Sequence, residues 1–224
     1  MEDNKTKKEV MVQERYCYEE DREFTIHKTS MFSQGDGFIA YDSKGYITFR
    51  VHSYGPIKHP LLLMDHFGKP LFTLLPKRPT LHQRWEGFMG EKLGHHDQQP
   101  PIFSMWKSTM IGRSKIIMVE VHDVSHATYQ IEGCFSERRC TIYYMSTASD
   151  HTTCRILVAR IERKVEPTRK LVLGRDVFTL CIKAGFDAAF GMALVLALDR
   201  IDGDELMMLL RLHPWNLITR NFCT

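Results

Sequence analysis

Gly185-Phe186-Asp187-Ala188-Ala189-Phe190-Gly191-Met192-Ala193-Leu194-Val195-Leu196-Ala197-Leu198-Asp199-Arg200 is the stretch whose reading decides the fold. Between Asp187 and Asp199 stand eleven residues without one polar side chain. Asp187 is placed to cap a helix, and its carboxylate suits the positive end of the helix dipole. Gly185 marks the entry, and Phe190 and Leu194, one turn apart, are expected inside. The helix is predicted over about residues 187–200. Eleven residues at 1.5 Å each span about 16 Å, half the hydrocarbon thickness of a bilayer, which disfavours a transmembrane helix. A helix apolar all round must instead be buried on every side by the rest of the protein.

What surrounds it is read from the residues upstream. From about residue 24 to 181 the chain is a succession of short β segments broken by turn residues. Gly37-Phe38-Ile39-Ala40-Tyr41 leads through Asp42-Ser43-Lys44-Gly45 into Tyr46-Ile47-Thr48-Phe49-Arg50-Val51, a hairpin in which Gly45 supplies a positive φ. Leu61-Leu62-Leu63-Met64-Asp65 and Leu71-Phe72-Thr73-Leu74-Leu75 form a second around His66-Phe67-Gly68-Lys69-Pro70. Further strands are predicted at 23–28, 82–89, 102–107, 115–121, 128–134, 139–145, 154–163 and 177–183, about twelve in all. Residues 92–101 and 166–170 read as loops.

Strands with no helices between them pair antiparallel in a sandwich or barrel. A sandwich with a docked helix would leave part of the apolar circumference wet. Closure around the helix buries it and removes exposed strand edges. The predicted fold is therefore mostly β: a closed antiparallel barrel enclosing a hydrophobic C-terminal helix. Its domain organisation is a flexible polar arm over residues 1–22, one barrel domain over 23–203 and a C-terminal extension over 204–224.

The chain has 224 residues, 43% hydrophobic and 25% charged, which excludes wholesale disorder and a membrane-embedded fold. A single β-barrel of this length is within reach, since such domains extend to about 250 residues. The formal charge of +3 divides unevenly: residues 1–23 carry −3 and the remaining 201 carry +6. A mildly basic body allows an anionic partner. The six cysteines form no C-x-x-C pair and the sequence opens without a secretory apolar segment, so a reducing, intracellular and cytoplasmic setting is expected, with a peripheral membrane or nuclear position as further options. Cys134 and Cys140 flank a hairpin turn and are expected as reduced thiols.

Several motifs then carry a resemblance. They are Gln34-Gly35-Asp36-Gly37-Phe38 with Asp42-Ser43-Lys44-Gly45, Leu63-Met64-Asp65 with Gly68-Lys69-Pro70-Leu71, Leu81-His82-Gln83-Arg84-Trp85-Glu86, Ile131-Glu132-Gly133 with Phe135-Ser136-Glu137-Arg138, Gly174-Arg175-Asp176-Val177-Phe178, and Gly185-Phe186-Asp187-Ala188-Ala189. In this order over about residues 30–202 they resemble the plant LURP-one-related family, whose fold is shared with the tubby C-terminal domain and with phospholipid scramblases. That resemblance implies a twelve-stranded barrel around the helix. It also implies links to plant defence and kinship with membrane-tethered regulators, and tubby-like domains bind phosphoinositide head groups through clustered Lys and Arg. The apolar segment 205–212 and the run His213-Pro214-Trp215 depart from the family, whose members stop soon after the buried helix.

The chemistry-bearing residues point to binding, not catalysis. His95-His96-Asp97 lacks a third ligand at a recurrent metal spacing, no cysteine sits in a nucleophile signature, and Gly35 and Gly37 lack the Lys-Ser/Thr of a phosphate loop. No cofactor or metal is expected. The basic residues remain: Lys69, Lys77, Arg78 and Arg84 are the candidate lipid head-group ligands, with Arg138-Arg139 and Arg160, Arg163 and Lys164 as separate cationic runs. The expected function is a non-enzymatic binding module for anionic phospholipid at a membrane surface. The alternative is a protein-interaction scaffold in plant defence or stress signalling, contacting its partner through the arm or the Trp215 tail. Nucleic acid is disfavoured because no RNP-like aromatic pattern, zinc finger or basic helix is present. A monomer is favoured.

Overall fold

Gly185 turns the chain at φ 81°, a left-handed conformation that costs glycine nothing. Two residues on, Asp187 Oδ1 accepts the N–H groups of Ala189 at 2.8 Å and Phe190 at 3.2 Å, satisfying two donors that a helix start leaves open. From this cap runs helix α1 (Ala188–Leu212). Residues Ala188–Leu198 are all buried, Phe190 and Leu194 at 0% exposure. The computed structural model describes residues 16–28, 37–53, 60–77, 84–92, 99–108, 116–122, 126–147, 153–166, 168 and 171–212, with the backbone alone beyond residue 202.

The wall around the helix is built from β1 (Arg22–Lys28), β2 (Phe38–Tyr41), β3 (Ile47–Ser53), β4 (Leu61–Asp65), β5 (Pro70–Pro76), β6 (Arg84–Met89), β7 (Phe103–Ser108), β8 (Ile116–Val121), β9 (Thr128–Cys134), β10 (Arg139–Thr147), β11 (Thr153–Arg163) and β14 (Val177–Ile182). Each of β1 to β10 pairs with the next strand in sequence, and β14 closes the ring between β11 and β1, giving a twelve-stranded antiparallel barrel. Between β11 and β14 the chain makes an excursion, β12 (Val165–Glu166) and β13 (Leu171–Val172), whose two strands pair only with each other.

Period-two burial aims one face of each strand at the helix. Phe24 and Ile26 of β1, Tyr129 and Ile131 of β9, and Phe178, Leu180 and Ile182 of β14 all point inward. Phe190 meets Phe103 at 5.2 Å, Tyr129 at 5.5 Å and Phe186 at 5.8 Å between ring centroids. Phe103 takes up that position across Gly87, where a Cβ would sit 2.0 Å from its ring. Gly191 plays the same part on the helix, since a Cβ there would stand 2.7 Å from Ile182 Cδ1.

Alternating strand direction gives the barrel two ends. At the entry end lie the start of α1 and the turns 42–46 and 66–69; at the exit end lie the β9–β10 turn, the β12–β13 ribbon and the continuation of the helix. At the exit end Lys28 fastens the helix and Arg138 braces the β9–β10 turn. Lys28 Nζ pairs with Asp199 at 2.9 Å. Arg138, buried at φ 52°, lies between the rings of Phe135 and Phe178 at 4.3 and 4.4 Å, and its Nε donates to the Arg175 carbonyl at 2.8 Å.

Two boundaries differ from those read in the sequence. The helix, expected to end near residue 200, continues to Leu212, so the extension expected from residue 204 begins as helix. Gly203 is the only breaker there, and its cost of about 1 kcal/mol is outweighed by the good helix formers that follow it. The flexible arm expected over 1–22 ends earlier: Tyr16 and Cys17 are buried, Tyr16 packs 5.3 Å from Phe49, and Cys17 bridges to Asp187. Residues 1–15 and 213–224 lie outside the described residues. Among the described residues, no helix is long and apolar enough to cross a membrane.

Candidate functional site

The helix fills the barrel, so recognition falls to its outer face and its two ends. Of the four head-group candidates, Arg78 lies outside the described residues. Lys69 sits in the β4–β5 turn at the entry end, where its N–H donates to Asp65 Oδ1 at 2.9 Å. Lys77 follows β5 at the exit end, seven strand residues away, or roughly 23 Å at 3.3 Å per residue. Its ammonium pairs with Glu86 at 2.8 Å. The Arg84 guanidinium lies 4.7 Å from the centre of the Trp106 ring and 4.0 Å from Glu120. Lys69 is thus separated from Lys77 and Arg84, and the latter two already face carboxylates.

A different set of cations is brought together. Pairing of β10 with β11, in register Cys140↔Ile161 and Thr141↔Arg160, sets the start of β10 beside the end of β11. Arg163 in turn faces Phe178 on β14. The result is a groove of about 410 Å³ at the exit end, lined by Glu137, Arg138, Arg139, Glu162 and Arg163. Glu137 is paired with Arg175 at 2.9 Å, and Glu162 stands 4.0 Å from Arg160. Both pairs are about half exposed, so each contributes little to stability. Arg139 and Lys164 make no ion pair among the described residues. Arg163 donates to the Leu173 carbonyl at 3.4 Å and keeps its other N–H donors.

Arg138 does a different job. Burial pushes its pKa down while Asp199, Asp176 and Asp202 push it up, and its contacts are with rings and carbonyls. It holds the turn from which Arg139 projects. The fork geometry of two arginines with a lysine beside them suits phosphate oxygens, which guanidinium groups bind in pairs of parallel hydrogen bonds. Each cationic run is visible in the sequence, but their convergence is not. The β10–β11 register carries it, and a bulge between Ile142 and Tyr143 shifts that register.

Other arrangements were absent from the sequence reading or differ in kind. The Ser104 hydroxyl lies 2.8 Å from His122 Nε2, a serine–histidine pair, yet Ser104 is 0% exposed and offers no nucleophile to solvent. Among the described residues no three His, Cys, Asp or Glu groups gather for a metal, and His95-His96-Asp97 lies outside them. The described cysteines are all free. Burial pushes the Cys140 thiol up to about 12, with Cys134 and Asp202 adding to it, and pushes Cys181 up to about 11.

Comparison with known proteins agrees with this architecture. The sequence profile described as LURP-one-related matches residues 22–199. Protein LURP-one-related 12 of Arabidopsis thaliana is 49% identical over 207 residues, covering 91% of this chain and 89% of that protein. Protein LURP-one-related 5 of the same plant is 43% identical, covering 88% and 91%. An X-ray structure of an Arabidopsis thaliana protein superposes with a TM-score of 0.58 at 22% identity, covering 86% of this chain and 98% of that one, which speaks for the fold alone. With the barrel, the enclosed helix and these relatives together, the chain belongs to the LURP-one-related family.

Proposed function

We propose that this protein is a non-enzymatic binding module that docks on anionic phospholipid head groups through the exit end of its barrel. The observation that carries the reading is the groove lined by Arg139 and Arg163, with Lys164 next along the chain, while its carboxylates Glu137 and Glu162 stand against Arg175 and Arg160. Cations near an anionic leaflet contribute about 1 kcal/mol each, so three give about 3 kcal/mol, enough for reversible recruitment in combination with other contacts. The assay is co-sedimentation of the whole chain with vesicles. Binding should rise from phosphatidylcholine alone to mixtures containing phosphatidylserine or a phosphoinositide, and should weaken with added salt. Equal recovery with neutral and anionic vesicles would sink it.

A second reading, a protein-interaction scaffold, is favoured by a separate feature at the entry end. There a shallow cleft of about 840 Å³ is lined by Tyr16, Tyr18, Tyr41, Tyr46, Ile47 and His66. Clustered tyrosines supply large contact area with a polar tip, as protein interfaces favour. Under that reading Tyr46→Ala would abolish capture of a protein partner and leave vesicle binding unchanged.

A further inference from the structure

The β12–β13 ribbon stands apart from the barrel, and its side chains are the wrong kind for a solvated excursion. Val165 and Val172 lie directly opposite each other, and Leu171 lies opposite Glu166. The three aliphatic residues are 45%, 46% and 59% exposed. Single exposed aliphatics are ordinary, but this four-residue ribbon carries them on both faces, Val165 beside Val172 on one and Leu171 beside Glu166 on the other, each about half exposed among the described residues. The ribbon is also tied to the groove: Leu173 N–H donates to the Lys164 carbonyl at 2.9 Å, and Arg163 donates to the Leu173 carbonyl.

We infer that this ribbon is the element that enters the membrane, its aliphatic side chains reaching the acyl boundary of an anionic bilayer while Arg139, Arg163 and Lys164 hold the head groups. The inference rests on the lipid-binding reading above and adds the depth and orientation of docking. Charge selects the occupant. Residues 160–176 carry six cations, Arg160, Arg163, Lys164, Arg169, Lys170 and Arg175, against three anions, Glu162, Glu166 and Asp176. Aliphatic groups bordered by Lys and Arg are the composition that an interface of acyl chains below anionic head groups accommodates. A partner's β-strand is the poorer occupant, because two-residue strands offer few backbone hydrogen bonds and their flanking charges oppose edge pairing. Helix α1 also continues to Leu212 at this end, so the end that faces the bilayer is the one from which both excursions leave.

The experiment uses the full chain with phosphatidylcholine vesicles carrying about one-fifth phosphatidylserine. Leu171→Trp should add emission that shifts to the blue on binding and is quenched by brominated acyl chains, beyond the response of the unsubstituted chain. A second variant, Val165→Ser with Val172→Ser, should keep its circular dichroism spectrum and bind about tenfold more weakly, with an unchanged salt dependence. Arg139→Ala with Arg163→Ala should instead flatten the salt dependence. If vesicles are bound but Leu171→Trp is not quenched and the serine variant binds as well as the original, the ribbon has no part in docking, and lipid binding by the groove stands alone. If the unsubstituted chain binds neither anionic nor neutral vesicles, the lipid reading falls and the ribbon proposal with it.

Discussion

Replacing Phe190 by alanine tests whether the barrel is held open by the helix it encloses. The side chain is 0% exposed and its ring meets those of Phe103, Tyr129 and Phe186 within 6 Å. Phe→Ala changes in cores cost about 3–5 kcal/mol, the upper part applying where the surroundings cannot collapse into the space. Here the partners are fixed from several directions. Phe103 is wedged against Gly87 and also touches Phe72, and Tyr129 is paired on both sides by β8 and β10. The expected loss is therefore about 4–5 kcal/mol. In a domain of this size 1 kcal/mol moves the midpoint by about 2–4 °C, so thermal unfolding followed by circular dichroism should show a fall of about 8–20 °C. Ile156→Ala, at a half-exposed position on β11, is the control and should stay within about 0.5 kcal/mol of the original. A Phe190→Ala midpoint within about 3 °C of the original, a loss near 1 kcal/mol, would refute the claim that the helix is the core of the barrel.

Other consequences follow from single contacts. Asp187→Ala removes the acceptor for two N–H groups at the helix start and should cost about 0.5–2 kcal/mol, most of it restored by Asp187→Asn or Asp187→Ser; chemical denaturation reads both. Gly87→Ala places a methyl group 2.0 Å from a Phe103 ring that has no room to retreat, and should cost at least about 1–3 kcal/mol, whereas Gly174→Ala, with open space around its Cβ position, should be close to neutral. A thiol pushed up to about 12 has little thiolate near pH 8, so iodoacetamide should label the exposed Cys154 well before Cys140 in the folded protein, as peptide mass spectrometry would show. Labelling of both at one rate would contradict the burial of Cys140.

The fold was legible because its decisive signals are local. The apolar run after Asp187 has one stable environment, and the turn residues around Gly45 and Gly68, both at φ 84°, mark their hairpins within a few residues. The twelve predicted strands correspond to the twelve barrel strands, with ends shifted by a residue or two. The end of the helix was not legible, since Leu206 to Leu212 reads equally as a new element or as more of the same helix. The site was less legible still. Lys69, Lys77 and Arg84 are close in sequence, yet β5 carries Lys69 to one end of the barrel and Lys77 to the other. Arg139 and Arg163 are far apart in sequence, yet one hairpin brings them to the same groove. Nearness along an antiparallel strand is a poor guide to nearness in space, and register, which decides the matter, depends on loops and bulges that the residue pattern does not reveal.

The claim that the exit-end groove is the docking site is tested most directly by vesicle affinity with cations removed one end at a time. Arg139→Ala with Arg163→Ala should weaken binding to phosphatidylserine-containing vesicles about 30-fold, taking about 1 kcal/mol for each charge. Lys69→Ala, at the entry end, should leave the affinity within about twofold. Loss of binding on Lys69→Ala, with the double arginine variant unaffected, would contradict the account and place the membrane at the opposite end of the barrel.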